Sequence, residues 1–218
     1  MNIILLGAPG SGKGTQAELL VNRNKMIQFS TGDIFRKNIA DDTTLGQEAK
    51  RYMNDGKLVP DEIVNQMVEC ALAKIHDNLI FDGYPRTIDQ AEALTKILAN
   101  YNAKVDKVVY LEVPESVLIE RISGRWICPK CKRSYNLQNR PPKVAGICDF
   151  DGTKLIRRPD DEPSKVKTRL EAYNKETAPL IDYYKAKEIT IHVSAHDSNP
   201  ENIYQEIVKE LKLNNGDN

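Results

Sequence analysis

Apolar and polar positions divide the chain into alternating strands and helices. Ile3 to Leu6 is an unbroken apolar run, the signature of a strand buried on both faces. Gly7-Ala8-Pro9-Gly10-Ser11-Gly12 is too glycine-rich for either regular element. Lys13 to Gln16 opens a segment whose Ala17, Leu19 and Leu20 suit a helix. Ile27 to Ser30 reads as a second, short strand. Helices follow from Thr31, with a Ser/Thr cap, from a capping Thr44 to about Asp55, where Gly56 stops it, and from a capping Asp61 to about His76. The last carries Ile63, Val64, Met67, Val68 and Leu72 near helical spacing. Leu79 to Phe81 is an apolar strand ending at Asp82. A helix over about Thr87 to Tyr101, a strand over Val105 to Val113 and a helix from Pro114 to about Ser123 complete this part.

The pattern breaks between Gly124 and Asp161, which is rich in Pro, Gly, Cys and Arg without helical period. Helix resumes at Asp160 or Asp161 and runs, bent near Pro179, to about Lys187. Ile189 to Val193 is the last strand, and Pro200 to Leu213 an amphipathic closing helix. This alternation predicts an α/β fold, a parallel sheet covered by helices on both faces.

The first stretch carries chemistry. Strand, glycine loop, lysine and helix form the phosphate-binding P-loop arrangement, Gly7-x4-Gly12-Lys13. Glycines admit positive φ and let backbone N–H groups close around phosphate oxygens. The helix N-terminus adds positive dipole, and the lysine ammonium reaches the outer phosphates. Gly14 stands where Ser or Thr usually holds Mg2+, and Thr15 comes one later. The metal is therefore expected to be held less directly, which speaks against a GTPase or motor-type ATPase. Asp82, at the strand end where an α/β sheet presents its binding edge, is the candidate to position Mg2+ through water.

Lys+Arg and Asp+Glu both number 31 in 218 residues, so the formal net charge is zero. That argues against a general nucleic-acid or anionic-membrane binder but allows a local cationic cleft. No apolar run approaches membrane-spanning length and no signal peptide is read. Three of the four cysteines fall in the irregular segment and Cys70 stands alone, which is no secreted disulfide framework. A reducing, cytoplasmic setting is expected. Cys128-x2-Cys131 and Cys148-x2-Asp151 share the spacing of zinc knuckles, and Asp149 fits that spacing less well than Asp151. Four protein ligands leave no open position for a catalytic water, so a structural Zn2+ is predicted, stabilising an insertion too small to bury its own core.

Taken together, GAPGSGKGTQ, FSTGDIFR, DGYPR with Gln90, RISGR, the cysteine-bearing insertion and RRPDDEPSKVKTRL resemble the adenylate kinase family, in its long bacterial type with a zinc-bearing LID. The resemblance covers nearly the whole chain. It implies a P-loop fold with a five-stranded parallel CORE sheet (residues 1–29, 60–125 and 162–218). A helical NMP-binding domain (30–59) and a small β-rich LID (126–161) would be inserted in it. It implies reversible phosphoryl transfer from Mg-ATP to AMP, giving two ADP. No coiled-coil or edge-pairing signal is visible, so a monomer that binds neither nucleic acid nor membrane is expected.

The residue roles follow from the same resemblance. Gly10, Ser11, Gly12, Lys13, Gly14 and Thr15 would wrap the ATP phosphates, with Arg121 and Arg125 reaching them from one face of a helix. Ser134, Tyr135 and Asn199 would lie near the ATP base or sugar. Thr31, Arg36, Lys57, Leu58, Val59, Gly83, Tyr84, Pro85, Arg86 and Gln90 match AMP-binding positions. Among these, Arg36 and Arg86 would hold the phosphate, and Thr31 and Gln90 would face adenine. Arg158 and Arg169 would bridge both nucleotides, next to the hinge acids Asp160 and Asp161. Lys13, Arg86, Arg125, Arg158 and Arg169 would be the catalytic cations. Thr31 favours adenine over UMP or CMP, whose kinases tend to read SAGD at this point. Trp126 and Arg140 depart from the family pattern without touching its motifs. His76, His192 and His196 suggest no general base, and none is needed, because the acceptor phosphate oxygen is already ionised.

Overall fold

The computed structural model describes residues 1–137, 140–196 and 199–214. Five strands form one parallel sheet: β1 (Ile3–Leu6), β2 (Ile27–Ser30), β3 (Leu79–Asp82), β4 (Lys107–Glu112) and, last in the chain, β7 (Thr190–Ser194). Their order is β2-β3-β1-β4-β7, with Ile3 aligned to Ile80 on one side and to Lys107 on the other. Successive side chains leave a strand on opposite faces, so β1 feeds two cores. Ile4 and Leu6 join Leu79, Phe81 and Val108 in one; Ile3 and Leu5 join Ile80, Val109 and Leu111 in the other. The first core is closed by α4 (Asp61–Leu72), α5 (Ile88–Ala99) and α8 (Pro179–Lys185). The second is closed by α1 (Lys13–Asn24) and α9 (Pro200–Leu211).

Between β2 and α4 lie α2 (Thr31–Ala40) and α3 (Thr44–Asn54). Thr43, not Thr44, caps α3: its Oγ1 accepts from the Gly46 N–H at 3.0 Å and donates to Asn38 Oδ1 at 2.8 Å. Gly46 lies so close to α2 that a Cβ there would sit 2.1 Å from the Asn38 carbonyl oxygen. Phe35, Ala49 and Val59 extend the first core into this pair of helices.

Further expectations change. α4 has Pro60, not Asp61, at its N-cap, because the Asp61 carboxylate is taken by Thr87 and Gln90; it ends at Leu72, and His76 lies beyond it, stacked on Tyr101. The helical stretch after residue 161 comprises α7 (Pro163–Ala172), a π turn over Tyr173–Thr177, and α8. Pro179 has no N–H to continue a regular ladder, and Ala178 N–H bonds back five residues to Tyr173 O at 2.8 Å.

α6 (Glu115–Ser123) closes at Gly124. The chain then enters β5 (Arg125–Ile127), antiparallel to β6 (Ser134–Asn136). Single bridges join Ile127 to Ile156 and Ile147 to Lys154. The core of this segment is small: Cys128, Tyr135, Cys148 and Leu155.

Candidate active site

The C-terminal edge of the sheet opens on a cleft of about 490 Å3. Its floor is the glycine loop leaving β1. Gly10 and Gly12 have φ of 84° and 99°, a region that only glycine enters freely. A Cβ on Gly10 would also strike the Ile122 side chain at 2.8 Å. Ser11 Oγ is buried in this loop with no partner. A buried donor without a partner costs free energy, and an anion seated in the loop would satisfy it.

Lys13 Nζ folds across the loop, donating to Gly7 O at 2.7 Å and Ala8 O at 3.0 Å. Burial pulls its pKa down to about 8; Asp82 opposes the fall, and Arg86, Arg169 and Arg125 add to it. Gly14 has no side chain to hold a metal, yet its missing Cβ would lie only 3.8 Å from Asp82 Oδ2. Asp82 accepts from Gln28 Nε2 at 3.0 Å. The donor set at this point, one carboxylate and the first turn of α1, suits Mg2+ bound largely through its own waters.

Eight arginines line the same cleft: the six expected ones, Arg36, Arg86, Arg121, Arg125, Arg158 and Arg169, together with Arg133 and Arg140. Sequence spacing puts Arg121 and Arg125 on one helix face, but Gly124 ends α6 between them. Arg125 instead stands on β5, donating from Nε to Asp161 at 2.7 Å, with its Nη2 on the other carboxylate oxygen. Arg121 anchors to Ala195 O at 2.9 Å. Asp161 is buried and also accepts from Arg169 Nη1 at 2.7 Å, so one carboxylate aligns two guanidinium groups. Arg169 also reaches Asp160, at 3.2 Å. Arg86 donates to Gly83 O at 2.8 Å. Arg36 pairs with Asp33 at 2.6 Å, one helical turn earlier. Arg158 Nε is buried without a partner. Burial, then Arg125 and Arg36, press its pKa down to about 9, with Asp160 and Asp161 opposing. Burial, then Arg169, press Arg86 to about 10. Arg86 and Arg158 stay cationic at neutral pH, so the cleft stores like-charge repulsion that a polyanion would relieve.

The remaining expected site residues fall into two sets, with the exposed Asn199 in neither. Gly10 to Thr15, Lys57, Leu58, Gly83, Pro85, Ser134 and Tyr135 line the cleft. Thr31, Val59, Tyr84 and Gln90 are buried behind its wall. Thr31 Oγ1 donates to Gly83 O at 2.9 Å. Gln90 accepts from Arg86 N–H and donates to Asp61 Oδ1, both at 2.7 Å, bracing the 83–86 loop that faces the cleft. Asn199 caps α9, accepting from the Glu201 N–H. Sequence reasoning missed Asp33, whose i,i+3 spacing to Arg36 is a readable signal. It also missed Glu18, Gln28, Lys132, Arg133 and Phe150 as wall residues, along with the cleft position of Arg140. These come together only through long-range folding. The histidines stay outside: His192 contacts Glu112 and His196 contacts Ser194.

In the β5–β6 segment, the ligand atoms of Cys128, Cys131, Cys148 and Asp151 all lie within 4.8 Å of one another. Cys131 Sγ is 3.5 Å from Cys148 Sγ, too far for a disulfide. Both Asp151 oxygens are 3.4 Å from Cys128 Sγ. Sulfurs at tetrahedral corners around Zn2+ would be about 3.7 Å apart, so the set fits that ion. Thr153 N–H holds the Asp151 carboxyl well below the usual range. Asp149 is drawn away, accepting from Lys143 N–H at 2.8 Å.

Comparison with known proteins agrees with this geometry. A sequence model of adenylate kinase matches residues 5–189. An adenylate kinase of Mesoplasma florum is 56% identical over 212 residues, 97% of this chain and all of that relative. One of Mycoplasma capricolum is 54% identical over 213 residues, 98% of this chain and all of the relative. One of Caldicellulosiruptor bescii is 51% identical over 193 residues, 88% of this chain and 90% of the relative. With the cationic cleft above its P-loop, the chain belongs to the adenylate kinase family.

Proposed function

We propose that this nucleoside monophosphate kinase moves the terminal phosphoryl group of Mg-ATP onto AMP, reversibly, giving two ADP. The observation that carries the reading is the ring of Lys13 and eight arginines around one cleft, six of them at the expected phosphate-binding positions, with no histidine among the cleft-lining residues. Phosphoryl transfer needs in-line alignment and charge neutralisation and little covalent chemistry from the protein. An ionised phosphate acceptor needs no general base.

Gly10 to Thr15 would hold the donor phosphates, with Lys13 released from the Gly7 and Ala8 carbonyls onto the transferring group. Arg36 and Arg86 would hold the acceptor phosphate. Arg125, Arg158 and Arg169 would meet the charge between the two. Mg2+ would be held through water by Asp82 near Thr15, and it supplies further neutralisation of the phosphate oxygens. Thr31 and Gln90, packed under the 83–86 loop, would shape the adenine side of the acceptor site; Lys57, Leu58, Val59, Tyr84 and Pro85 would complete it. Arg121, Ser134, Tyr135 and Asn199 would border the donor nucleoside. Residues 30–59 and 126–161 would close over a CORE of 1–29, 60–125 and 162–218, excluding water as a competing acceptor. Zn2+ on the Cys3Asp set would be structural. The free cysteines support a reducing, cytoplasmic setting, and among the described residues no helix is long and apolar enough to cross a membrane.

The test is ADP formation from Mg-ATP with AMP, UMP, CMP and GMP as acceptors. Fast transfer to AMP alone, reversible from ADP, is the expected result. Preference for UMP or CMP would overturn the base assignment, and ATP loss with no acceptor would overturn the kinase reading.

A further inference from the structure

Glu18 stands on α1 one turn beyond Thr15, on the wall of the cleft. Its carboxylate takes a 2.7 Å hydrogen bond from Arg133 Nε. Its second oxygen takes bonds from both terminal nitrogens of Arg140 at 3.1 Å. Arg133 immediately precedes β6, and Arg140 is bridged back to Asn136. Both belong to the metal-bearing segment, and neither belongs to the cationic set assigned to the phosphates. Arg133 also lies over the Phe150 ring at 4.6 Å, which fixes the plane of its guanidinium. α1 is packed into the second core through Ala17 and Leu20, so Glu18 is a fixed post. The metal-bearing segment has a core of its own and joins the sheet through its two ends near Arg125 and Arg158.

We propose that Glu18 is the core-side post of a latch that holds this segment down over the donor nucleotide. Arg133 and Arg140 are its two hooks, and they must leave Glu18 when the cleft opens to release product. The inference rests on reading this side of the cleft as the donor site. The charge balance explains why one carboxylate takes two arginines. Closure brings two guanidinium groups toward a cleft already crowded with cations. Without Glu18 they would add to that repulsion; with it, closure gains two ion pairs, made of three charge-assisted hydrogen bonds, independent of any ligand. All three side chains keep partial contact with water, with 21 to 33% of each exposed. The latch is therefore weak enough to break on every turnover and sensitive to salt.

Glu18→Gln is the first test, read by steady-state kinetics with ATP and AMP varied separately. KM for ATP is expected to rise about threefold to tenfold, the span two partly exposed ion pairs supply, while KM for AMP moves less than about twofold. kcat is expected to rise, because a latch slows opening. Wild-type protein in about 0.5 M KCl, where the Debye length is about 4 Å, should approach the variant. Arg133→Gln with Arg140→Gln should reproduce the effect from the other side, and adding Glu18→Gln to that pair should change nothing further. Additive losses, or a shift in melting temperature with unchanged kinetics, would overturn the latch and leave an ordinary fastening ion pair. If wild-type protein forms no ADP from AMP, the kinase reading fails and the latch is read differently. Amide hydrogen exchange over 126–137 and 140–158 of the zinc-loaded protein should then be faster in Glu18→Gln than in wild type, and equal rates would overturn it.

Discussion

The two segments that flank the cleft are built on opposite principles. Residues 30–59 are helical, and Phe35, Ala49 and Val59 belong to the same apolar cluster as the sheet. Residues 126–161 have two three-residue strands and a core of Cys128, Tyr135, Cys148 and Leu155. The first segment borrows its stability from the main core. The second does not, because its core is a separate cluster of four buried residues, and a metal held by its Cys3Asp set would take the place of the missing hydrophobic burial. A segment stapled by a metal on that set would be free to move as a unit on a few polar contacts. A segment continuous with the core moves only as far as its shared packing allows.

The largest expected effect tests the metal side of this contrast. Cys148→Ser, or chelation, should unfold the metal-bearing segment and remove Arg158, Arg133 and Arg140 from the cleft. ADP formation is expected to fall by about two orders of magnitude or more, since ligand loss forfeits most of the metal's folding energy. Calorimetry should nonetheless show the main transition of the sheet and its helices retained. Loss of that transition as well would show that the two segments are not energetically separate.

Next in size is the difference between the arginines each segment contributes. Arg36 is matched by Asp33 before any ligand arrives, whereas Arg158 keeps a buried Nε with no partner. Arg158→Gln should lower kcat by about a hundredfold to a thousandfold, as losing a preorganised donor to a developing charge does. Arg36→Gln should instead raise KM for AMP about tenfold with kcat little changed, the mark of ground-state binding. Equal losses in kcat for both would erase the distinction.

This asymmetry also explains what was legible in the chain. The P-loop and the Cys-x2-Cys spacing are local patterns, so strand, loop, helix and the Cys3Asp set could be read directly. The alternation of β1 residues between two cores follows from its unbroken apolar run. Arg125 was harder: its distance of four from Arg121 suggests one helix face, but Gly124 ends the helix and Asp161, far along the chain, decides its direction. Glu18 carries no sequence signal at all, because its partners are more than a hundred residues away. Thr43 and Thr44 are equally good caps by residue type, and only the contact of Thr43 with Asn38 of α2 selects between them.

A smaller effect concerns the floor that both segments share. Burial depresses Lys13 from 10.5 to about 8. The proton is therefore lost in the window from about 8 to 10.5, where an ordinary lysine keeps it. kcat/KM for ATP should fall about tenfold per pH unit above pH 8, while kcat holds to higher pH because bound phosphate favours the ammonium. A pH–rate profile of wild type and of a helical-segment variant should show the same limb in both. A limb that moves with the variant would mean that the segments, not the floor, set it.

The smallest effect probes the helical segment by itself. Thr43→Ala removes the acceptor for Gly46 N–H and the donor to Asn38, and so the cap of α3 and its tie to α2. A lost cap costs about 1 kcal/mol, roughly a fivefold change in a local opening equilibrium. Because α3 packs on the main core, that cost should appear as fraying of the first turn of α3, where it meets α2, and not as global unfolding. KM for AMP should rise by no more than about fivefold, increasingly so with temperature, with KM for ATP unchanged. Thr43→Ser, which keeps the hydroxyl, should restore it. A rise in KM for ATP of the same size would mean that fraying in the helical segment reaches the metal-bearing one, and the two could no longer be treated as separately built.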